Sequence, residues 1–177
     1  MAGYKAIGMV FVRRLSRDAG KEQAVRERLS PATRELFDQA VATQWIPIEA
    51  ITEAFVTAAH VIYPGDVNGL RKVGEELAQD NVHGAYSWLF RFLSVPFIIS
   101  QTAKLWRMYH QAGEASIAPV DKRQVLLEVR GYPELPERFR ECMAGFCLRI
   151  IALTGAKDVR VAAGGDAACW TWTIRWA

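Results

Sequence analysis

Metal-ligating and nucleophilic side chains are few in this sequence and stand apart from one another. The histidines are His60, His83 and His110, and the cysteines are Cys142, Cys147 and Cys169. A structural zinc site needs four ligands gathered by short spacings such as CxxC, and the sequence has no such pair. Cys142 and Cys147 fall in one helical run, where a step of five residues turns the second side chain about 140° from the first, and His60 and His83 belong to different elements. The expectation is three reduced thiols and no metal cluster. Acid–base, nucleophilic and phosphoryl-transfer chemistry find no framework either: there are no paired carboxylates, no Ser/His/Asp set, no GxGxxG and no phosphate loop. Asp166, in GGDAA, reads as a turn residue. The residue types point to binding rather than catalysis.

The residues best placed to bind are aromatic. In CWTWTIRW, residues 169 to 176, Trp170, Trp172, Ile174 and Trp176 occupy alternate positions, so a β-strand there puts all four on one face and Arg175 on the other. That face has three possible destinations: the protein's own core, a ligand cavity or a second copy of the chain. Three indoles interlock poorly and carry N–H donors that need partners, which keeps the cavity open as a reading beside the core.

The elements that position these residues follow from hydrophobic period and turn chemistry. Helices are expected over Ile7 to Ala19, Lys21 to Leu29 and from the Ser30-Pro31 start, where Ser caps and Pro occupies the first turn. Trp45-Ile46-Pro47 opens an amphipathic helix with Ile48, Ile51, Phe55, Ala58, Ala59 and Ile62 on one stripe. Further helices are expected over Val67 to Gln79, Val82 to Leu93 and from Pro96 to Gly113, with Trp106 and Tyr109 on the buried side of the last. Ser116 to Ala118 and Val125 to Val129 read as strands, Pro136 to Thr154 as a long helix closed by Gly155, and Val159 to Ala163, Gly164-Gly165-Asp166 and Cys169 to Trp176 as a hairpin. The order predicts an α+β fold, with N-terminal helices packed on a C-terminal antiparallel sheet of about four strands and one long helix inserted. The tryptophan face is then the covered one.

A length of 177 residues, 51% hydrophobic and 23% charged, suits one globular domain spanning 1–177. Twenty-two basic residues among 19 acidic ones leave a net charge of +3, too little to call for nucleic acid, and Arg13-Arg14 and Lys122-Arg123 read as solvated faces. No apolar run reaches the roughly 18 residues of a membrane span. The apolar stretch Ala6 to Val12 is followed rather than preceded by its arginines, the reverse of a secretion signal, so a cytoplasmic location is expected.

IGMVFVRRL with the following GKEQAV, WIPIEAI, and VLLEVRGYPELPERFRECMAGFCLRIIALTGAKDVRV together resemble the superfamily of the haem-nitric-oxide-binding (H-NOX) domains, the 4-vinyl-reductase type domains and a set of myxobacterial proteins. The resemblance implies a small-molecule or sensory module. In H-NOX domains a histidine ligates the haem iron and a Tyr-x-Ser-x-Arg motif holds the propionates. Tyr132 matches the tyrosine, whereas Glu134 and Pro136 stand at the serine and arginine positions; His110, in RMYHQAG, lies where the resemblance would put the axial ligand. A histidine at a helix end ordinarily serves as a solvated or capping group, and with the clamp missing the expectation is no cofactor. The leading reading is a non-catalytic module for an apolar small molecule, with Tyr86, Phe90, Trp106, His110, Met143, Phe146 and Trp172 as candidate ligand-binding residues. The alternative is an assembly module, a homodimer formed through Val82 to Leu93 and Pro96 to Tyr109.

Overall fold

Apolar residues recurring every three to four positions build the N-terminal half, as seen in a computed structural model that describes residues 2–82 and 93–177. Helix α1, Ile7–Asp18, buries Met9, Phe11 and Val12 against α4, Ile48–Ile62, which buries Ile48, Ile51, Phe55, Ala58 and Ala59. Two short helices, α2 (Glu22–Arg28) and α3 (Pro31–Gln39), cover the flank. Ser30 caps α3 as its sequence predicts, and Glu53 of α4 accepts from the Ser30 N–H at 2.6 Å and from its hydroxyl at 2.8 Å, tying the cap to the neighbouring helix.

Two N-terminal readings are corrected. Trp45–Pro47 does not open the helix: it is a strand, β2, paired antiparallel with β1, Gly3–Lys5, so that Tyr4 lies opposite Ile46. Pro47 sits in an extended conformation with ψ 138°, and the helix begins only at Ile48. Arg13 is not a solvated charge but donates to the carbonyls of Phe37, Asp38 and Ala40, which closes the end of α3 onto α1.

Helix α5, Gly69–Val82, packs on α8, Phe139–Ala152, more extensively than any other described helix pair. Glycines on both sides permit it. A Cβ at Gly74 would overlap the Cys142 carbonyl, and a Cβ at Gly145 would overlap the Arg71 carbonyl, so the two backbones touch at reciprocal points. The helix expected over Val82 to Leu93 lies largely outside the described residues. The stretch expected as one helix from Pro96 to Gly113 is two, α6 (Val95–Ser100) and α7 (Thr102–Tyr109), with Gln101 ending one and starting the other. Helix α7 stops at Tyr109 because His110 is extended, φ −123° and ψ 138°, and bridges antiparallel to Tyr4 of β1.

The C-terminal sheet has the order β3-β4-β6-β5, all antiparallel: β3 is Glu114–Asp121, β4 Gln124–Arg130, β5 Arg160–Asp166 and β6 Cys169–Arg175. Register sets Val125 opposite Ile174, Leu127 opposite Trp172 and Val129 opposite Trp170, and all six are buried beneath the helices while Arg175 is exposed. The architecture is thus α+β as the sequence predicts, with α8 inserted between β4 and β5. The expected turn Gly164-Gly165-Asp166 is strand instead, paired with Thr171, Trp170 and Cys169; the turn falls at Ala167 and Ala168. Gly165 keeps a positive φ of 80° inside the strand, which is why a glycine-rich run that reads as a turn can still pair.

Candidate functional site

Between α5, α6–α7, α8 and the sheet lies an apolar cavity of about 200 Å³. Leu77 and Val82 of α5, Trp106 and Tyr109 of α7, and Leu127 and Ile174 of the sheet form three of its walls. Helix α8 supplies the fourth with Phe139, Cys142, Met143, Phe146 and Cys147, and Tyr4 of β1 reaches in from the N-terminal sheet. Of the candidate residues named from the sequence, Trp106, His110, Met143 and Phe146 line this cavity together. Tyr86 and Phe90 lie outside the described residues. Trp172 is fully buried and lies outside the cavity's described lining; its indole N–H donates to the Arg140 carbonyl at 3.0 Å, while the Trp170 N–H donates to the Tyr132 carbonyl at 3.1 Å. The tryptophan face is therefore covered, and two of its N–H donors are satisfied by backbone.

His110 lines the cavity and corrects the expectation of a solvated cap. The residue is 7% exposed. Trp106, one helical turn earlier, stacks flat on the imidazole with centroids 3.7 Å apart and an interplanar angle of 1°. Tyr4, Phe139 and Tyr132 meet it edge to face at 4.8, 5.6 and 5.8 Å. Burial pushes its pKa down to about 3, so the imidazole is neutral at physiological pH. Its Nδ1 and the hydroxyl of Tyr132 are the buried side-chain polar atoms that have no hydrogen-bond partner among the described residues. Such atoms are costly unless something else meets them.

The thiols are inert by the same logic. Burial raises Cys142 far above its ordinary value and Cys147 to about 12, so both line the cavity as small apolar groups. No cluster of three metal-ligating side chains occurs among the described residues. The signal that sequence reasoning missed is Tyr4: its contact with His110 comes from strand pairing between the start of the chain and the end of α7, and no local pattern records it.

No protein-family model and no curated protein matches the sequence. The structure, in contrast, is similar to solved H-NOX structures over nearly its whole length. An unliganded Fe(II) H-NOX protein from K. algicida matches with a TM-score of 0.69 and 7% identity, covering 98% of this chain and 96% of that one. An oxygen-binding H-NOX domain related to soluble guanylate cyclases, in its oxygen complex, matches with a TM-score of 0.61 and 13% identity over 96% of this chain and 91% of that one. A third, from work probing the function of haem distortion in the H-NOX family, gives 0.61 and 14% over 97% and 93%. The chain has an H-NOX-like fold. The expectation of no cofactor is overturned at this point, because the structures that share the fold from end to end include iron- and haem-containing proteins. The missing Ser and Arg beside Tyr132 bear on how propionates are held and not on whether a pocket exists. No described helix is long and apolar enough to cross a membrane.

Proposed function

We propose that this chain is a haem-based sensory module in which the apolar cavity holds the macrocycle and His110 ligates the iron. The observation that carries the reading is a neutral, buried histidine on the wall of an apolar cavity. Neutral imidazole is the metal-ligating form. Tyr132, whose hydroxyl is the other orphan, remains available to a polar group on the rim of the ring, while Glu134 and Pro136 cannot supply the cation that would neutralise a propionate. When bound, haem supplies an iron centre for a diatomic gas; the chain supplies the nitrogen ligand, a water-poor enclosure and the aromatic contacts around it.

The cavity is smaller than the ~300–1,000 Å³ usual for sites that enclose small molecules, so a macrocycle must move lining side chains as it enters. Met143, with three rotatable bonds, and the half-buried Phe146 are the ones able to yield. Haem addition to the apoprotein should give a stoichiometric Soret band that is lost or strongly shifted in His110→Ala. No band, or one that His110→Ala leaves unchanged, rejects the reading.

A second reading is favoured by Phe97, Leu105 and Met108, which are exposed on α6 and α7: that surface suits a homodimer. It concerns assembly and is compatible with ligand binding.

A further inference from the structure

Histidines that bind metals are usually held in orientation by a hydrogen bond from the second ring nitrogen to a carboxylate, a backbone carbonyl or water. Among the described residues, His110 has no such bond at Nδ1. What fixes its ring is instead the indole of Trp106, parallel to it within 1° at 3.7 Å. The indole is itself anchored: its N–H donates to the Ala112 carbonyl at 3.0 Å, beyond the end of α7, and the backbone N–H of His110 donates to the Trp106 carbonyl at 2.9 Å. The two rings are therefore joined through the helix end on one side and through the Trp106–Ala112 bond on the other. Tyr4, Phe139 and Tyr132 stand at interplanar angles of 79°, 87° and 85° to the imidazole, which leaves it little freedom to turn.

The geometry points to Trp106 as the positioning residue of the site: its ring replaces the missing hydrogen bond and sets the plane in which His110 presents its lone pair. The inference rests on the haem reading above. It has a chemical consequence. The orientation of the His110 ring depends on an apolar contact, so it is lost when the aromatic face is lost and kept when any aromatic face remains.

The test compares Trp106→Leu, which preserves apolar volume without a ring, with Trp106→Phe, which preserves a ring without the Ala112 bond. The resonance Raman iron–histidine stretch of ferrous, haem-loaded protein and the transfer of haem to apomyoglobin are both measured. Wild type should give one narrow band that His110→Ala abolishes. Trp106→Leu should broaden or shift that band and release haem about tenfold faster, the lower end of the usual effect of removing an outer partner of a metal ligand, and Trp106→Phe should restore most of both. In apoprotein, NMR should place the His110 ring protons upfield under the indole, with the shift lost in Trp106→Leu, a readout independent of haem. A Trp106→Leu band equal to wild type in position and width overturns the positioning role while leaving haem binding intact. A wild-type protein with no His110-dependent band rejects the haem reading, and this role with it.

Discussion

Burial, more than charge, decides what His110 can do. Its folded pKa is depressed from 6.5 to about 3 by desolvation, so between those values the unfolded chain takes up a proton that the folded one refuses. Stability associated with this residue is complete above about pH 6.5 and falls as the pH drops toward 3, with a slope of up to about 1.4 kcal/mol per pH unit. Denaturation between pH 7 and 4 should show that slope in the apoprotein and a shallower one in His110→Phe; equal slopes would mean that the ring is not buried. The tryptophan strand gives a second contrast at this scale. Trp172→Ala should cost roughly 3–5 kcal/mol, the range for truncating a buried large aromatic, whereas Arg175→Ala on the exposed face should stay within about 0.5 kcal/mol. A more damaging Arg175→Ala would mean that the strand has been placed with the wrong side inward. The alternation of CWTWTIRW made this facing legible from sequence. The burial of His110 was not legible, because its neighbours Tyr4, Phe139 and Tyr132 come from three separate parts of the chain.

Helices α5 and α8 are held at contact distance by Gly74 and Gly145, and α8 carries one wall of the cavity. On a free helix Gly→Ala is favourable by about 1 kcal/mol. Here each added methyl meets a backbone carbonyl that cannot step aside, so Gly74→Ala and Gly145→Ala should instead destabilise by roughly 1–3 kcal/mol, as overpacking does. Chemical denaturation decides the sign. Both should also weaken haem retention, since α8 moves with its cavity residues; stabilised variants would show that the helices can part without loss. Elements of this length and period were readable: α1 and α8 lie close to their expected limits, and α4 ends where expected although it starts three residues late. Short ones were not. β1 and β2 are three residues each, too few to display alternation, and they exist because they pair with one another. Gly164 to Asp166 carry turn chemistry but are recruited into the sheet by β6.

The whole molecule joins a helical layer to a sheet, with the cavity at the seam and with exposed Phe97, Leu105 and Met108 on its outer helices. If that surface assembles two copies, sedimentation should give a dimer that Met108→Glu with Leu105→Glu converts to monomer; a monomer at all concentrations removes the assembly reading. The strand order has a consequence in time as well as in space. β6 is the last of the four sheet strands to be synthesised, yet it lies between β4 and β5. While the ribosome still holds the residues of β6, β4 has only β3 beside it, β5 has no hydrogen-bonded neighbour, and the indoles that cover α8 are missing. The emerging chain therefore presents an open apolar seam until β6 slides between two waiting partners. A nascent chain arrested before Cys169 should bind chaperones and fail to take up haem, and release of β6 from the exit tunnel should close the sheet in one late, cooperative step.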